Sequence, residues 1–265
     1  MKKIVVAVLL VLLSAMPAAA ADLVVLPSPN TFNQENFKDL STDLGLAISY
    51  FPLSPAGSLA GSLIPFGFDA GVEVTAVQLD TNKDHWKLMD AAGAEVPATL
   101  PIPKLHVQAG VKIPFIPPID LGVIYSKIPT TEITLVGGEV KVGILEDGIV
   151  VPAVALRYSM TQLSGLEDTI ELSTQQFDLS VSKKFLLVTP YLGYAIVNIT
   201  STPKDATATT DFTLAGVTYP GLKEETITAN KLFVGAKLSL GLINFVAQVD
   251  KAAVTAYSLR FNVSF

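Results

Sequence analysis

TAYSLRFNVSF, residues 255–265, alternates without a break. Tyr257, Leu259, Phe261, Val263 and Phe265 take every second place, with Ser258, Arg260, Asn262 and Ser264 between them. A period of two sends the two sets to opposite faces of one extended strand. One face is aromatic and aliphatic along its length; the other is polar and bears a full charge. Such a strand suits a wall with lipid on one side and a polar interior on the other.

The same rhythm runs back through the chain. Stretches 66–80, 103–113, 119–127, 132–145, 149–161, 170–183, 186–199, 226–241, 243–250 and 256–265 read as ten strands. In the first, Phe66, Phe68, Ala70, Val72, Val74 and Ala76 oppose Gly67, Asp69, Gly71, Glu73 and Thr75. Short connections such as FIPPID and EDG alternate with long ones, 81–100 and 201–225, as expected of turns and loops on two sides of a membrane. Ile133 and Leu135 share a face with Glu139 and Lys141, so that strand is either bulged or begins against a covered lumen.

Residues 34–50 fit two periods: Phe37, Leu40, Leu44 and Ile48 have helical spacing, and Leu44, Leu46, Ile48 and Tyr50 have strand spacing. An even strand number, with both ends of the chain on the short-turn side, favours a short amphipathic helix inside the barrel or across its mouth. The expected fold is all-β: a closed antiparallel transmembrane β-barrel of about ten strands, twelve being the alternative, with an N-terminal amphipathic helix.

Lys2 and Lys3, the apolar run 4–13 and the small residues up to Ala21 read as a secretory signal, with cleavage after Ala21 or Ala20. The chain thus divides into a signal at 1–21, a lead-in and helix at 22–60 that could plug the lumen, and a barrel at 61–265. The alternative is a secreted soluble protein. Against it, half the residues are hydrophobic, 16% are charged and mean hydropathy is +0.49, yet no later run is long and apolar enough for a spanning helix. With no cysteine there is no disulfide framework, so stability must come from a closed hydrogen-bond ladder. The net charge of −6 gives no reason to expect a nucleic-acid partner.

The inward positions are the candidate site. Asp69, Glu73, Asp120, Glu139, Asp178 and Asp250 share the interior with Lys104, Lys112, Lys141, Arg157, Lys237, Arg260 and His106. They could conduct or orient a solute, or pair across a narrow interior and neutralise one another. The only histidines are His85 and His106. Asp84 and His85 could form a base and its orienter, but adjacent side chains seldom point the right way. No catalytic residue, cofactor or metal is expected, since two distant histidines without cysteine make a poor metal site.

Taken together, FKDLSTDLGLAISYFPLSP, GFDAGVEVTA, PKLHVQAG and TPYLGY, with the closing strand, resemble a family of Gram-negative outer-membrane β-barrel proteins that has no assigned activity. The resemblance implies outer-membrane lipid as the surroundings. It also implies that Tyr257, Leu259, Phe261, Val263 and Phe265 form the insertion signal read by the barrel-assembly machinery. It transfers no active-site residue. Three functions stay open: a narrow channel or passive transporter for ions, small or hydrophobic solutes; a structural or adhesive barrel acting through its loops; and a hydrolase at the rim.

Overall fold

A computed structural model describes residues 24–60, 65–128, 132–166 and 168–265. The expected signal segment and its cleavage site lie outside the described residues. Ten long strands close into one antiparallel barrel: β1 (Phe66–Gln78), β2 (Thr99–Val111), β3 (Ile119–Lys127), β4 (Thr134–Leu145), β5 (Ala153–Ser164), β6 (Ile170–Ser182), β7 (Val188–Pro203), β10 (Glu225–Leu240), β11 (Ile243–Lys251) and β12 (Thr255–Ser264). The ladder shuts where β12 meets β1, with Glu73 opposite Arg260 and Val72 opposite Phe261. Backbone bonds between Phe68 and Phe265 at 2.9 and 3.0 Å finish the seam. Closure leaves no barrel edge in the hydrocarbon, where unpaired amides are costly. Among the described residues no helix is long and apolar enough to cross a membrane, so crossing falls to the strands.

The boundaries differ from the expected ones where proline is concerned. β2 begins at Thr99 and includes Pro101 and Pro103. Its β3 partner starts only at Leu105, so the prolines lie where β3 asks no ladder bond of them. β5 begins after Pro152, leaving Ile149 and Val150 exposed in the turn. The first long connection holds helix α2 (Asp84–Ala91). Past β7, the longest loop carries helix α3 (Ala206–Thr209) and the hairpin of β8 (Phe212–Leu214) and β9 (Val217–Tyr219). Ala215 and Gly216, both at positive φ, make the tight hairpin turn.

Helix α1 (Gln34–Ile48) opens on a capping box, in which Asn33 and Asn36 exchange backbone and side-chain bonds. Helical spacing therefore wins over strand spacing in this segment. Its position corrects the expected topology. Gln34 bonds Lys223 at the long-loop mouth, not at the short-turn side. From there the helix descends into the barrel against β5, β6, β7 and β10. Residues 49–60 continue down the lumen, and β1 starts at the short-turn end.

The barrel's polarity changes along its height. Toward the short turns the inward face is charged, and Leu121, Val140, Leu179 and Leu192 are exposed outside. Toward the long loops the inward face turns apolar, with Leu100, Ile102, Leu135, Leu172, Val197, Ile199 and Ile227 buried. The outward positions there become Gln78, Gln162, Glu171, Gln175 and Thr228. Phe37, Leu40, Leu44 and Ile48 of α1 join that inner apolar layer, as do Trp86 and Met89 of α2. This settles the β4 alternative: its apolar start faces a covered lumen, and the register shift falls later, between Gly143 and Leu145.

Candidate functional site

The lower lumen is an ion network threaded by an extended segment. Glu139 takes Arg157 Nε at 3.0 Å, lies 3.7 Å from His106 Nε2 and accepts a bond from Gln108. Glu73 contacts Lys104 at 3.5 Å and His106 Nδ1 at 3.3 Å. With its proton on Nδ1, His106 donates to Glu73 and accepts the Tyr50 hydroxyl at Nε2, 2.8 Å away. Asp120 holds Lys141 at 3.0 Å, while Asp69 is taken by Arg260 and Asn262. Asp178 and Asp250 accept from Gln176 at 3.2 Å and Gln248 at 2.8 Å.

Residues 49–59 meet this network step by step. Lys231 donates to Ser49 Oγ at 2.9 Å and to the Tyr50 carbonyl at 2.8 Å. The Phe51 ring lies 4.5 Å from the ammoniums of both Lys104 and Lys231, a cation–π contact with each. Leu53 sits at φ 44°; its N–H donates to Gln248 at 3.2 Å and its carbonyl faces Arg260. Arg157 donates to Ser54, Lys141 to the carbonyls of Pro55 and Gly57, and Ser58 to Asp120. A charge buried in a medium of low dielectric must be paired or hydrogen-bonded. Strands and threaded segment together meet most of that demand, with single atoms such as Arg157 Nη1 and Asp178 Oδ1 left over.

The structure thus places Asp69, Glu73, Lys104, His106, Asp120, Glu139, Lys141, Arg157, Asp178, Asp250 and Arg260 in one buried network. Lys237 lines its lower end. Lys112 stands apart from it, at the rim beyond β2, bonded to Glu146 of a turn at 2.6 Å. Lys231 is the cation that sequence reasoning missed. Its parity with Lys237, six positions on, is the signal that could have found it. Six carboxylates then share the interior with six Lys and Arg side chains. Tyr257, Leu259, Val263 and Phe265 are exposed on the outer face, and Phe261 is half-buried there beside Phe245.

At the long-loop mouth a second cluster ties α1 to α2. Asp43 accepts Lys83 at 2.9 Å, His85 Nε2 at 3.1 Å and Trp86 Nε1 at 3.0 Å. Burial alone would raise the Asp43 carboxyl, but the bonds from His85, Lys83 and Trp86 outweigh it and hold the group below its ordinary value. His85 therefore pairs with Asp43 from another element, and Asp84 is exposed. On the same helix, Ser41 donates to Ser201 of β7 at 2.8 Å. Gly45 abuts Ile199 so closely that any Cβ would collide with that side chain. Among the described residues no group of three or more His, Cys, Asp or Glu is arranged to hold a metal.

Neither a family model nor a curated protein matches the sequence. Solved structures match at low likeness. The β domain of the Bordetella autotransporter BrkA is 13% identical, with TM-score 0.37, over 76% of this chain and all of that one. LpxR from Salmonella typhimurium is 8% identical, with TM-score 0.34, over 74% and 99%. Neisserial surface protein A is 9% identical, with TM-score 0.30, over 76% and 96%. The class rests on the closed ten-strand ladder, the exposed apolar belt and the polar lower lumen. The protein is an outer-membrane β-barrel whose lumen is occupied by its own N-terminal segment.

Proposed function

We propose that this is a sealed barrel working as a structural or adhesive element through its long-loop face. One observation supports the reading above others: residues 34–60 fill the lumen, and buried charges there bond to the filling segment. Ion conduction would require those bonds to break together. The long-loop face, by contrast, is a built platform of α1, α2 and the β8–β9 hairpin. The proposal includes export by a cleaved signal at 1–21, a lead-in and plug at 22–60, a barrel at 61–265, and recognition of the closing strand by the assembly machinery. It assigns no catalytic step, because the bonds of His85 staple two helices together.

Single-channel recording of the refolded barrel tests it, beside a variant lacking residues 24–60. The expected result is silence from the full chain, with folding verified by heat-modifiable gel mobility. Steady conductance from the full chain overturns the proposal in favour of a pore. Conductance from the shortened chain alone identifies the segment as a plug. It would favour the second reading, gated passage of small solutes, only if a condition is found that opens the intact protein.

A further inference from the structure

We infer that the short-turn end of the lumen holds an oxyanion site, suited to a phosphate carried by a lipid headgroup or by a small solute. A cavity of about 250 Å³ lies beneath residues 53–59, between the lower ends of the strands. Four cations line it: Lys141, Lys184, Lys237 and Arg260. Two are satisfied by protein carboxylates, Lys141 by Asp120 and Arg260 by Asp69. The remaining lining carboxylate, Asp147, is held by Lys183 at 3.1 Å. Lys184 and Lys237 are left without a hydrogen-bonding or ion-pair partner among the described residues, although Lys237 is mostly enclosed.

The surplus of positive charge therefore sits in one place, with hydroxyls of Ser182, Thr189 and Ser239 around it. Arg260 also keeps a buried Nε without an acceptor. Enclosed ammoniums and hydroxyl donors around a small cavity match the acceptor oxygens of a phosphate. Among the described residues, Lys231, Arg157 and Lys141 each donate to the filling segment; Lys184 and Lys237, at the lower end, do not.

Inorganic phosphate titrated calorimetrically into the refolded full chain in zwitterionic micelles is the test. Saturable binding is expected, weakened about tenfold or more in Lys237→Gln, which removes one charge-assisted bond to the anion. Lys184→Gln, a change in an exposed turn with little to unfold, should weaken it as well. Repeating the titration in nanodiscs of phosphatidylethanolamine, with and without phosphatidylglycerol, separates the sources. Weaker phosphate binding only in the mixed discs identifies a lipid headgroup; equal binding in both identifies a free solute. Absence of saturable binding in folded wild type, or equal affinity in wild type and both variants, overturns the site.

Discussion

The two halves of this barrel solve opposite problems with the same strands. In the short-turn half the outside is apolar, the inside is charged, and an extended segment crosses the lumen. In the long-loop half the outside is polar, the inside is apolar, and a helix fills it. β2 shows the change within one strand: Leu100 and Ile102 face inward above, Lys104, His106 and Gln108 below. β6 repeats it with Ile170 and Leu172, then Gln176 and Asp178. The lower half is built for lipid, the upper half for water, so the upper half has the ordinary inside-out logic of a soluble protein. A transmembrane barrel can thus extend past the bilayer by inverting its pattern, provided something apolar fills it.

The hardest test of that division is removal of residues 24–60. Hydrogen exchange should show protection lost around Val197 and Ile227, which rest on the helix, while the ladder around Leu192 and Val234, which face lipid, stays protected. Uniform loss would mean that the two halves form a single cooperative unit. Single changes should then separate the halves by mechanism. Phe37→Ala opens a cavity in the upper layer and should cost about 3–5 kcal/mol. Glu139→Gln breaks a buried pair below and should also cost about 3–5 kcal/mol. Adding Arg157→Met should recover much of the second loss and none of the first, as read by denaturant unfolding in micelles. Failure of that recovery would show that the lower charges are not paired as described.

Smaller effects sharpen the boundary between helix and wall. Gly45→Ala would favour an isolated helix by about 1 kcal/mol. In place it must push Ile199, and should instead destabilise by about 1–3 kcal/mol. The double change with Ile199→Ala should cost less than the two separate losses combined; simple additivity would remove the contact from the account. At the mouth, the Asp43 carboxyl is held below its ordinary value, so it contributes stability above the unfolded carboxylate range, near pH 4. That contribution disappears as pH falls through the lowered folded value. Trp86, the only tryptophan, should report it by a red shift in emission on acidification. Asp43→Asn should show part of that shift at neutral pH, with a loss of about 1–3 kcal/mol.

Much of the wall was legible, and the reason is geometric. Period two assigns each strand residue to one face without knowledge of its neighbours, so Leu156 and Tyr158 read as outward and Arg157 as inward. Hairpin register even sets Asp120 opposite Lys141, and Lys141 opposite Arg157. The first pair forms as the register sets it, but the rest was not legible, because Arg157 pairs with Glu139 across a diagonal and Lys141 also donates to the threaded backbone. Lys231 escaped notice for a related reason: its partners are Ser49 and Tyr50, far away in the chain. The upper inversion left traces such as the apolar start of β4 and the inward Val197 and Ile199 of β7, which have no meaning until the helix is known to lie against them.

The sequence by itself determined the antiparallel barrel, its lipid belt and the inward charges, since alternation and turn chemistry are local. Only the tertiary structure decided what the lumen contains. An inward leucine is a fault in an open pore and a core residue beside α1, and a buried cation is costly until a threaded carbonyl reaches it. Both outcomes depend on where residues 24–60 sit along the barrel axis, and that height is set by contacts such as Asp43 with His85 and Gly45 against Ile199, which no local pattern encodes.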